Sequence, residues 1–97
     1  MRDYELMCVL NPELDEAGLE AQNERLTTMV TGRGGEVVSM EPWGRRRLAY
    51  QVKNYREGIF ILTRFKMAPA DAETLERTLQ LNEAVIRHLI VRPPDSN

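Results

Sequence analysis

Apolar and polar residues alternate from Tyr4 to Leu10, with Tyr4, Leu6, Cys8 and Leu10 on one face and Met7 and Val9 on the other beside Asp3 and Glu5. A period of two predicts a strand, and a second face that turns apolar predicts an interior one. Asn11-Pro12 ends it, because proline has no N–H for the ladder. Leu19, Leu26, Met29 and Val30 then recur at helical spacing, behind Asp15 as N-cap and Glu16 at the positive end of the dipole. Gly32-Arg33-Gly34-Gly35 closes that helix. A phosphate cradle needs strand, glycines, helix; here the order is helix, glycines, strand, so the glycines read as a cap and turn.

Glu36 to Met40 begins a second strand, which Pro42 and Gly44 interrupt and Leu48 to Val52 resumes. Proline assigns it to a sheet edge and glycine marks a bulge. Lys53 to Gly58 reads as a hairpin turn. Ile59 to Met67 follows as the third strand, with Ile61, Thr63, Phe65 and Met67 on one face and Phe60, Leu62 and Arg64 on the other. Pro69 and Asp71 open a second helix with Ala72, Leu75 and Leu79 as its stripe and Asn82 as a left-handed cap. Val85 to Arg92 is the last strand, stopped by Pro93-Pro94. The order βαββαβ with right-handed crossovers predicts an α+β, ferredoxin-like fold, a four-stranded antiparallel sheet with two helices on one face. Residues 1–93 make a single domain and 94–97 a short disordered tail.

The face without helices then holds Met7, Val9, Phe60, Leu62, Leu89 and Val91, more apolar surface than a monomer ordinarily exposes. It reads as a protein-partner face, or as the product of strand propensity alone.

Charge changes the picture at one place. The 97 residues carry 15 acids against 13 bases, a net charge of −2, which argues globally against a nucleic-acid binder. Yet Pro42 to Arg56 holds no acid and the five bases Arg45, Arg46, Arg47, Lys53 and Arg56. Adjacent arginines on a strand point to both faces, which suits an exposed arm and not a buried strand. Guanidinium groups match phosphates through paired donors, so these residues, with Arg2 and Arg87, are candidates for RNA backbone contact. A solvated edge kept from aggregating by its charges would show the same pattern. Stacking of bases across the sheet is not expected, because only Phe60 is aromatic on the open face.

No catalytic constellation is present. His88 is the single histidine and has no ligand partner by spacing, so no metal site is expected. Cys8 is alone in an apolar run, which fits a buried, inert thiol in a reducing compartment. No hydroxyl or thiol has a base and an orienting group, and neither a cofactor nor a small-molecule substrate is implied. No apolar run approaches a membrane span, and the opening MRDYE is not a signal peptide, so a cytoplasmic protein is expected. A self-associating or small-ligand-binding domain of the same fold is the rival class, and would be a stable homodimer without RNA affinity.

Taken together, MRDYE at the N-terminus, LNP after the first strand, WGRRRLAY, GIFIL and LNEAVIRHLIVR resemble the family of the sixth protein of the bacterial small ribosomal subunit, over essentially the whole chain. The resemblance implies a structural ribosomal protein without enzymatic activity. It further implies binding to small-subunit ribosomal RNA in its central domain, together with small ribosomal subunit protein eighteen. Arg2 and Tyr4 of MRDYE and Arg45 to Arg47 of WGRRRLAY match positions associated with RNA or partner contact in that family. Lys53, Arg56 and Arg87 join them on charge placement.

Overall fold

Arg2–Leu10, the first strand (β1), lies inside a four-stranded antiparallel sheet in the computed structural model, which describes residues 1–94. The remaining elements are α1 (Glu16–Thr31), β2 (Glu36–Val52), β3 (Tyr55–Met67), α2 (Pro69–Leu81) and β4 (Val85–Val91). Strand order is β2-β3-β1-β4, so the proline-containing strand is at an edge, as its sequence predicts. Of the expected tail, residues 95–97 lie outside the described residues.

One face of the sheet and the two helices share a single core. Tyr4, Leu6, Cys8 and Leu10 of β1 meet Ile59, Ile61, Phe65 and Met67 of β3, with Leu26 and Val30 of α1 and Ala72, Leu75 and Leu79 of α2 above them. Phe65 stacks on Tyr4, ring centroids 5.5 Å apart and planes 23° from parallel. These two residues are register partners on the central strands. Burial pushes the Cys8 thiol up to about 12, which keeps it protonated and unreactive in the folded chain.

The helix ends follow local chemistry. The Asp15 carboxylate accepts the Gly18 N–H at 2.7 Å, capping α1. At its other end Gly34, at φ 81°, takes the left-handed turn that leads into β2. Asn82 departs from expectation. It is extended (φ −86°, ψ 113°) and not left-handed, because its side chain serves the following turn instead. Its Oδ1 accepts the Ala84 N–H at 3.0 Å, and its Nδ2 donates to Gln22 Oε1 on α1 at 2.8 Å. The end of α2 is thereby tied to the other helix.

The β2–β3 hairpin is longer than the sequence suggests. Its turn is only Lys53 and Asn54, both left-handed at φ 49° and 70°, with Val52 facing Tyr55. Two positive-φ residues match the right-handed twist of the flanking strands, so β3 begins at Tyr55 and not at Ile59. Gly58 therefore belongs to the strand. A Cβ there would collide with Val9 on the neighbouring β1, which explains a glycine at that point. β2 runs without interruption, and Pro42 and Gly44 produce a register shift within it, with Gly44 at φ 80° and Trp43 as the extra residue.

Candidate nucleic-acid interface

Pairing registers lay the open face out in rows from β4 across to β2. Val91, Glu5, Arg64 and Ser39 form one row, Leu89, Met7, Leu62 and Glu41 the next, and Arg87, Val9, Phe60 and Gly44 a third. Arg64 ties the first row to the second. Arg64 donates to Glu5 at 2.9 Å and to Glu41 at 3.4 Å. Its hydrogen bond to Glu5 is the largest of the effects that hold this guanidinium above its ordinary pKa. The six residues expected to form one exposed apolar face are thus not equivalent. Leu89 (61% exposed) and Val91 (42%) are open to solvent, and Met7, Phe60 and Leu62 are half-buried. Val9 is buried at 3% exposure and leaves the candidate surface. It sits over Gly58 and close to Ile86, in the row whose outer member, Arg87, is held by the hairpin arm.

The arm holds it through Tyr50, a residue that the charge pattern does not single out. Between the pairs Arg47–Glu57 and Val52–Tyr55 the arm has four residues on β2 opposite one on β3. This bulge carries Tyr50 across the sheet end to the far strand. There the Arg87 guanidinium lies 5.6 Å from the Tyr50 ring centroid and donates to the Tyr50 hydroxyl at 3.1 Å. At the near edge the bulge residue Trp43 has Arg46 over its ring at 5.3 Å and donates through Nε1 to Glu41 at 3.3 Å. Aromatic rings therefore accompany two of the cations, a pairing that strand alternation alone does not predict. For Trp43 the nearest signal in the sequence was the bulge that Gly44 marks, since a bulge re-aims neighbouring side chains; the bulge that carries Tyr50 has no such mark.

Arg2 aside, the predicted cations separate into three kinds. Arg45 is spent within the fold, since it donates to Glu57 at 2.8 Å and to the Pro12 carbonyl at 2.9 Å. Glu57 is the first residue past the acid-free stretch, and antiparallel pairing sets it diagonally beside Arg45. Arg46 and Arg87 are stacked on aromatic rings. Arg47, Lys53 and Arg56 are exposed and make no ion pair or side-chain hydrogen bond among the described residues. Arg47 and Arg56 also wall a shallow concavity of about 310 Å³ with Tyr50 at the arm's end. Arg2 lies apart, at the opposite end of the sheet, where it faces Met67. Tyr4 is 8% exposed with its ring in the core, as alternation predicts, so only its rim can meet a partner.

Among the described residues, no three His, Cys, Asp or Glu side chains gather as a metal site, and no helix is long and apolar enough to cross a membrane. The arrangement offers charge and shape. The family model described as ribosomal protein S6 matches residues 3–92. The chain belongs to the ribosomal protein S6 family. The small ribosomal subunit protein bS6 of Moorella thermoacetica is 44% identical over 92 residues, covering 95% of this chain and 94% of that protein. Its counterpart in Paenarthrobacter aurescens is 43% identical over 95 residues, covering 98% and 94%. The crystal structure of 30S ribosomal protein S6 from Thermotoga maritima superposes with a TM-score of 0.88 at 27% identity, over 95% of this chain and 87% of that one. The ferredoxin-like fold is thus that of the S6 family. Membership makes the chain a structural constituent of the small ribosomal subunit, a cytoplasmic particle in bacteria, and not an enzyme.

Proposed function

We propose that this S6-family chain docks on the central domain of small-subunit ribosomal RNA and does so jointly with small ribosomal subunit protein eighteen. One observation carries the reading. In a molecule of net charge −2, the exposed cations Arg47, Lys53 and Arg56 lie together on one projecting hairpin and have no acidic partner among the described residues. Cations left unpaired in an acidic protein are placed for an external anion, and counterion release from RNA phosphates would reward them. Arg46 and Arg87, held on Trp43 and Tyr50, keep two further guanidinium groups at fixed positions beside them. Leu89 and Val91 on the opposite edge strand, backed by half-buried Met7 and Leu62, supply the apolar surface for the protein partner.

An acidic body lowers affinity for RNA in general and leaves tight binding to the joint complex. The expected result is weak binding of this chain alone to labelled central-domain RNA and much tighter binding when the partner protein is added. Titrations with each protein and with the mixture measure it. Equal affinity alone and mixed would remove the partner from the mechanism.

A further inference from the structure

The bulge at the end of the arm sets Leu48, Ala49, Tyr50 and Gln51 of β2 against Arg56 alone on β3. Such a bulge breaks the ladder and bends the strand, which is how Tyr50 comes to leave its own edge. Its ring reaches Arg87 on β4, yet Tyr50 remains 62% exposed, so that contact leaves most of its surface open. Tyr50 has no place in the core. A tyrosine held in position but left exposed offers a large, rigid contact surface at little cost in conformational entropy.

The surroundings of the ring are cationic, and register places them on one face. Arg87 is on the open face as the partner of Val9. Arg56 shares that face by alternation with Gly58 and Phe60, and Arg46 is the register partner of Gly58. Arg56 and Tyr50 also wall the same concavity of about 310 Å³. Acids of the strands do not cancel this charge. Glu57 alternates to the opposite face, where Arg45 takes it, and Glu41 accepts from Trp43 and Arg64. Asp3, Glu5 and Glu36 lie toward the far end of the sheet, in register with Lys66 and Arg64. A simple anion would use the cations and leave the ring idle, and an apolar ligand would do the reverse. A nucleotide presents both a flat base and a phosphate.

We infer that Tyr50 is a stacking site for one unpaired base of the RNA, with Arg56 placed for the phosphate of that nucleotide. The inference rests on the proposed RNA docking and adds to it a contact that is not ionic. Stacking needs a base with a free face, so the ligand is a nucleotide of a loop, bulge or strand end and not one inside a duplex. The site tolerates any base, since each has a π-face. It also escapes the alternation that leaves the middle of the open face with Phe60 alone, because the bulge and not the pleat sets its place.

The test uses the full chain with its protein partner on a central-domain RNA transcript, across a salt series. Tyr50→Ala is expected to weaken binding about 5- to 150-fold while keeping the log–log salt slope, because lost stacking releases no counterions. Tyr50→Phe keeps the ring and should bind close to the natural affinity. Arg56→Ala should flatten the slope by about 0.7–0.9, and Arg47→Ala, outside this site, reports on the docking as a whole. If Tyr50→Ala binds like the natural chain while Arg47→Ala flattens the slope, the ring meets no base and the docking survives. If the Arg47 and Arg56 variants both keep the natural slope, docking through phosphates fails and the stacking site fails with it. A loss for Tyr50→Phe as large as that for Tyr50→Ala would assign the effect to the hydroxyl bond with Arg87 and overturn stacking. A Tyr50→Ala chain that binds the partner protein more weakly in the absence of RNA would give the ring to the protein interface instead.

Discussion

Alanine at Arg47 is expected to reduce the salt slope of RNA binding by about 0.7–0.9, the effect of one phosphate contact, whereas alanine at Arg45 is expected to leave it nearly unchanged. The three consecutive arginines look interchangeable in the sequence, and the structure gives them different tasks. Arg45 braces the arm against Glu57 and the Pro12 carbonyl, and so is already neutralised. Its ion pair is half-exposed, and such pairs contribute about 0–1 kcal/mol, so its removal loosens the arm more than it unfolds the domain. Arg47 has no such obligation among the described residues. Removing Arg46 as well, which frees the Trp43 ring, should bring the reduction in slope to about 1.4–1.8. Trp43 is the only tryptophan, so its fluorescence reports on the arm directly and separates weakened RNA binding from a disordered arm. An Arg45 variant with a flattened slope and an Arg47 variant without one would reverse the assignment.

Phe65→Ala should have the largest effect on stability, about 3–5 kcal/mol. Phe65 is 1% exposed, on a strand paired on both sides, and stacked on Tyr4. Truncation removes its transfer free energy and leaves a cavity between rigid strands that cannot close. Against a total of about 5–15 kcal/mol for a domain of ordinary stability, the variant should unfold at far lower urea. The same truncation at Leu89, 61% exposed on the edge strand, should change the midpoint little. A Phe65→Ala midpoint within error of the natural one would mean that the sheet and helices do not share the core described above.

The architecture is legible in the sequence because its signals are local and periodic. Alternation from Tyr4 to Leu10, the helical stripe ending at Val30 and the stop at Pro93-Pro94 each act within a few residues, and all six elements appear in the expected order, with only the β2–β3 hairpin longer than expected. Pro42 and Gly44 likewise announce an edge strand with a bulge. What cannot be read lies where one local irregularity sets a distant contact. Trp43 as the extra residue, and the four residues opposed by one near Tyr50, depend on which hydrogen bonds the partner strand skips. That choice re-aims Tyr50 toward Arg87 on the far side of the sheet. Alternation puts Val9 on the open face, correctly, but its close approach to Gly58, beside Ile86, goes with its burial. Asn82 looks like a left-handed cap in the sequence, yet its turn and its tie to Gln22 use the side chain and not φ. The unpaired start of β1 depends on a difference between two strand lengths, and that exists only after the strands are in register.

The sheet order has a further consequence for the chain as it is made. β1 emerges first, yet its partners lie at Ile59–Met67 and Val85–Val91, so the central strand waits unpaired until almost the whole chain has been synthesised. The β2–β3 hairpin has no such delay, because its pairing starts across the two-residue turn at Lys53 and Asn54. Short-range closure is fast and long-range closure slow. The cationic arm should therefore assemble ahead of the body that later carries it, and pulsed hydrogen exchange during refolding should protect the hairpin amides before those of Arg2–Leu10. Simultaneous protection of both would show instead that the arm waits for the core. A chain that folds in this order presents its cationic hairpin before its hydrophobic centre has closed.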